Sequence, residues 1–70
     1  METASLTKAG LSEGEARVYT TLLRAGLSKA GKLSKESGLN RTSTYDALNR
    51  LIEKGLVSWV VEAKVKYYQA

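Results

Sequence analysis

Seventy residues with 43% apolar and 26% charged side chains, and no proline, make one small folding unit rather than a disordered or multidomain chain. Cysteine and histidine are both missing, which removes disulfide frameworks, thiol nucleophiles, zinc fingers and the usual general base; no metal, no cofactor and no enzyme activity are expected. Eleven Lys and Arg against seven Asp and Glu give a net charge of +4, which suits a polyanionic partner as well as it suits a solvated surface.

The opening METASLTKAG lacks an apolar signal core, and no long apolar run follows anywhere, so a cytoplasmic protein without a membrane span is expected. Gly10, Gly26, Gly38 and Gly55 each close a short periodic segment. The first segment, residues 2 to 9, reads as a short helix anchored by Leu6 and Ala9. SEGE at 12 to 15 is a capping box that starts a second helix, with Ala16, Tyr19, Leu22 and Leu23 as its core face. Ser28 is placed to cap a third, SKAGKLSKES, with Ala30, Leu33 and Ser37 on one side and Lys29, Lys32, Lys35 and Glu36 outside. Gly31 weakens that helix, so either tertiary packing holds it or a neighbouring backbone comes close there, as at a crossing with another helix.

Residues 41 to 54 carry the clearest helical pattern, with Thr44, Leu48, Leu51 and Ile52 on one face and Gly55 as the stop. The remainder, GLVSWVVEAKVKYYQA, turns β-branched and aromatic around a polar EAK, and predicts a hairpin of strands 57–61 and 66–70. With Val61 opposite Lys66, Trp59 faces Tyr68 and Val57 faces Ala70, on a side expected to cover the helices. Ser58, Val60, Glu62, Val65, Tyr67 and Gln69 then form the outer side. The fold class is α+β, mainly α: three to four helices and a C-terminal β-hairpin wing, the order of a winged helix-turn-helix over residues 1–70.

In that geometry the first turn of the helix at 41 enters the major groove of double-stranded DNA, where small donors reach phosphates and base edges. Asn40, Arg41, Thr42 and Ser43 occupy that turn, although Asn40 serves equally as an N-cap and the hydroxyls as ordinary first-turn residues. Thr42, Ser43, Asp46, Asn49 and Arg50 form a continuous face opposite Leu48; Arg50 has the geometry to read guanine and Asn49 adenine. Asp46 repels phosphate, and two roles are open to it: accepting from a cytosine amino group, or pairing with Arg50 at i+4. Tyr45 packs at the core edge with its hydroxyl directed to a phosphate. Lys29, Lys32 and Lys35 are expected near the DNA backbone, with a solvated helix face as the plain alternative. Lys64 at the hairpin tip and Lys66 beside it have a short reach to the adjacent minor groove or its phosphates.

The runs AGLSEGEARVYTTLLRAG and SGLNRTSTYDALNRLIEKGLVS and the closing YYQA resemble the N-terminal winged-helix domain of the TrmB-type transcriptional regulators of archaea, from about Leu6 to Ala70. The most specific pieces are Gly10-Leu11 with Glu15-Ala16 and Tyr19, Arg41-Thr42 with Tyr45 and Leu48, Lys54-Gly55-Leu56-Val57, and Tyr68 with Ala70. The resemblance implies sequence-specific binding of promoter DNA by a homodimer, with the helix from Arg41 as recognition helix. Such proteins usually continue into a larger domain that binds sugars or supports dimerisation; here either a stand-alone module or part of a longer regulator fits. The competing reading is a winged helix used for protein docking, which an outward Trp59, Val60 and Tyr67 would favour.

Overall fold

The computed structural model describes residues 10–70, so the short helix expected over residues 2 to 9 lies outside the described residues. In chain order the elements are α1 (Glu13–Ala25), α2 (Ala30–Ser37), α3 (Arg41–Glu53), β1 (Ser58–Glu62) and β2 (Val65–Gln69). Three helices followed by an antiparallel hairpin give the winged-helix order.

α1 starts where the capping box puts it: the Glu15 amide donates to Ser12 Oγ (3.1 Å) and the Ser12 amide to Glu15 Oε1 (3.0 Å). Its buried stripe is rotated from the expected one. Glu15, Ala16, Val18, Thr21 and Leu22 are buried, Tyr19 packs at the edge, and Leu23 is 46% exposed. Val18 and Leu22, at i+3 and i+7 from Glu15, define the centre of the inward face, which leaves Leu23 at its rim. Thr21 is accommodated inside because its hydroxyl donates to the Arg17 carbonyl (2.8 Å).

Ser28 does not cap α2. Its backbone is extended and pairs with β2, the Ser28 amide donating to the Tyr68 carbonyl (3.0 Å) and the Tyr68 amide to the Ser28 carbonyl (2.7 Å). Its hydroxyl is spent on the Gly26 carbonyl (2.9 Å). The open edge of β2 presents backbone groups that need partners, and that requirement outweighs a side-chain cap. Lys29 becomes the N-cap, without a side-chain hydrogen bond, and Ala30 and Leu33 point inward. Gly31 meets no neighbouring backbone: the atom a side chain there would touch is Arg41 Nη2 at 3.4 Å.

The turn into α3 is held locally. Gly38 takes a left-handed conformation (φ 78°), Ser34 Oγ donates to the Leu39 carbonyl (2.7 Å), and Asn40 Oδ1 accepts from the Ser43 amide (2.7 Å). Thr44, Ala47, Leu48 and Leu51 are the buried face of α3, with Ile52 packed beside them. Gly55 at φ 75° ends the helix, its amide bonded to the Ile52 carbonyl and the Leu56 amide to the Leu51 carbonyl, both at 3.0 Å.

In the hairpin, Val61 faces Lys66 and Trp59 faces Tyr68, the expected register. Ala63 and Lys64 turn the corner with φ of 50° and 66°, the two positive angles of a tight two-residue turn. The expected covering face is only half used: Val57 and Tyr68 are buried, but Trp59 is 48% and Val61 57% exposed. The sheet meets the helices through β2, whose Tyr68 pairs with Ser28, and β1, which carries Trp59 and Val61, is the strand on its far side. Lys66 takes over the covering role, its Nζ 4.3 Å from the Trp59 ring centre and 5.2 Å from that of Tyr68.

Candidate nucleic-acid interface

An open cleft of about 530 Å³ runs between the start of α2, the first three turns of α3 and the wing. Lys29, Lys32, Arg41, Tyr45, Asn49, Lys64 and Lys66 all line it, so more than half of the candidate residues, drawn from three separate segments, come together at one place. Five of these are cations, and no carboxylate is in the lining. Such a concentration of one sign in a concave surface favours an anionic occupant.

The cations are held in different ways. Lys29 Nζ lies 5.9 Å from the Tyr67 ring centre, tying the start of α2 to the base of the wing. Lys66 is steadied by Trp59 and Tyr68, which restricts its ammonium to the cleft side of the wing. Lys32 makes an exposed i,i+4 pair with Glu36 at 3.9 Å, of a type worth only a few tenths of a kcal/mol. Tyr45 is exposed along the cleft wall rather than packed into the core edge.

Other candidates lie elsewhere. Asn40 is the cap of α3, with its carbonyl oxygen already used, while Thr42 and Ser43 are exposed on the first turn. Asp46, Asn49 and Arg50 border a second depression with Glu53, Lys54 and Glu15, so Asn49 stands on the ridge between the two. The ion pairs among the described residues are Glu13–Arg17, Lys32–Glu36 and Glu15–Lys54, which leaves Asp46 and Arg50 unpaired with each other. Lys35 borders a third groove with Arg17 and Arg24, away from the cleft.

No local sequence pattern signals the Glu15–Lys54 pair, which joins residues 39 positions apart. Lys54 Nζ, just beyond α3, donates to Glu15 Oε1 at 2.7 Å, while the Glu15 side chain is 3% exposed. Burial alone pushes this carboxyl up, but the hydrogen bonds from Lys54 and the Ser12 amide, with the charges of Lys54 and Arg50, outweigh it and hold the pKa below the ordinary 4.5. A depressed carboxylate contributes stability that is fully present above pH 4.5 and is lost as pH falls through the lower folded value. The wild-type melting temperature is therefore expected to fall more steeply below that pH than the Glu15→Gln melting temperature. Lys54→Ala is expected to cost about 1–2 kcal/mol at neutral pH in chemical denaturation, at the low end for a charged hydrogen bond because Lys54 is partly solvated.

A short helix, a three-residue glycine turn, a capped second helix and a hairpin that closes over a cationic cleft define a winged helix-turn-helix domain. The chain belongs to the TrmB family: the family model described as sugar-specific transcriptional regulator TrmB matches residues 6–70. It is similar to the HTH-type sugar sensing transcriptional regulator TrmBL1 of Pyrococcus furiosus, with 47% identity over 55 residues, covering 79% of this chain and 16% of that protein. The chain thus spans about a sixth of the length of that relative. No solved structure matches it. Among the described residues no helix is long and apolar enough to cross a membrane.

Proposed function

We propose that residues 1–70 are the sequence-specific double-stranded-DNA-binding domain of a transcriptional regulator that acts as a homodimer, with α3 as recognition helix in the major groove. The observation that carries this is the cleft itself: five cations from α2, α3 and the wing around one concavity, with no carboxylate among them. A helix about 10–12 Å across fits a major groove about 12 Å wide. With α3 seated, Thr42, Ser43, Asn49 and Arg50 face the base edges. Lys29, Lys32, Lys64 and Lys66 flank the backbone and supply affinity and register without sequence information.

Membership of a family of transcriptional regulators supports the same reading. The alternative, docking to a protein, draws support from the exposure of Trp59 and Val61 on the wing. A salt titration separates them. Two to four phosphate contacts per subunit, each releasing about 0.9 counterion, give an expected slope of log affinity against log salt of about −4 to −8 per dimer. A slope near zero on both random and promoter duplexes would favour protein docking.

A further inference from the structure

We propose that Gly31 is a positioning residue for Arg41: its bare backbone is the seat on which the Arg41 guanidinium lies, turning that side chain sideways from α3 onto α2 to hold a backbone phosphate rather than a base. This rests on the DNA-binding reading and assigns a partner atom class to one side chain of that site.

Gly31 sits near the start of an eight-residue helix, where glycine is the poorest choice short of proline. No conformational need excuses it, since it is not among the residues with positive φ, and any residue adopts the helical backbone it has. A Cβ at this position would meet a single heavy atom within 4 Å, Arg41 Nη2 at 3.4 Å. The space a longer side chain would occupy is therefore the space the guanidinium uses.

The guanidinium resting there has cations for company, since Lys29 and Lys32 line the same part of the cleft. The three ion pairs among the described residues do not include Arg41, so no carboxylate among those residues neutralises it. A cation packed against other cations and the positive end of a helix is unfavourable by itself and is relieved by an anion. A phosphate on the DNA backbone supplies that anion and matches the planar fork of arginine. Lying on α2, beside two lysines assigned to the backbone, Arg41 is directed to the flank of the groove rather than to its floor.

The test is a double-mutant cycle on the 70-residue chain, with Gly31→Leu, Arg41→Ala and the double variant measured on promoter and random duplexes alongside thermal melting. Gly31→Leu is expected to raise the melting temperature, because leucine favours the helix. It is also expected to weaken both duplexes by about tenfold, one charged hydrogen-bonding contact, and to reduce the salt slope by about 1 per subunit. In the Arg41→Ala background the same substitution should change binding little, because the side chain it displaces is already gone. An equal loss in both backgrounds would mean that leucine blocks the DNA directly, and wild-type affinity for Gly31→Leu would mean that Arg41 does not need this seat; either result overturns the proposal while leaving DNA binding intact. If Arg41→Ala binds both duplexes like wild type, Arg41 holds no phosphate and the proposal falls, whatever the four lysines of the cleft contribute.

Discussion

Leu48→Ala is expected to lower the unfolding free energy by about 2–5 kcal/mol, measured by urea or thermal denaturation. Leu48 is 0% exposed and belongs with Val18, Leu22, Leu33 and Leu51 to the one core that joins the three helices. Removing three carbons there loses their burial and leaves a cavity that helices crossing at that point cannot collapse around. For a chain of this size the total stability is on the order of 4–10 kcal/mol, so the loss takes a large share of it. Leu23→Ala provides the comparison, because the same chemical change is made on the same bundle at a residue that is 46% exposed. It should cost less than about 1 kcal/mol. Equal costs at the two positions would show that α1 is rotated toward the face that puts Leu23 inside.

What could be read from the sequence was what neighbours along the chain decide. The capping box at Ser12, the Asn40 cap, the Gly55 stop and the register of Trp59 against Tyr68 all depend on residues a few positions apart or on strand parity. What could not be read depends on distant partners. Ser28 is equally good as a cap and as an extended residue, and only the edge of β2, forty residues later, decides between them. Glu15 satisfies its capping role with or without Lys54, so nothing local announces the buried pair across 39 residues. Trp59 and Val61 have the alternation of a covered face, but both lie on β1, and that β2 rather than β1 pairs with Ser28 is settled by a partner about thirty residues away.

The candidate site divides in the same way. The residue types at 40 to 50 announced an unusual first turn, yet their partition into cleft and ridge follows from the tertiary arrangement. On the preceding helix, steps of three residues fall about 60° short of a full turn each time, so Lys35 has drifted roughly 120° round from Lys29. That drift carries it to the groove with Arg17 and Arg24 while Lys29 and Lys32 stay on the cleft. The wing lysines join them only because Ser28 fastens β2 alongside the start of α2.

Arg50 and Lys32 are expected to behave differently on the same DNA, and the contrast tests how α3 sits. Arg50 is exposed on the outward face of α3, on the flank away from the cleft, with Asp46 and Asn49 beside it. As a bidentate reader of guanine, its replacement by alanine should cost about 1–3 kcal/mol on the preferred site and flatten discrimination at one base pair, with a smaller effect on random duplex. Lys32 lines the cleft from α2, so Lys32→Ala should weaken both duplexes alike and reduce the salt slope by about 1 per subunit. The charge of Arg50 also supports the Glu15 carboxylate, so the Arg50→Ala protein should first be shown to melt well above the binding temperature. If Arg50→Ala then weakens both duplexes equally, Arg50 is a further phosphate anchor, α3 lies with its first turn deepest in the groove, and base reading shifts to Thr42, Ser43 and Asn49. If neither variant changes binding to any duplex, α3 does not face DNA, and the exposed Trp59 and Val61 become the surface on which to look for a partner.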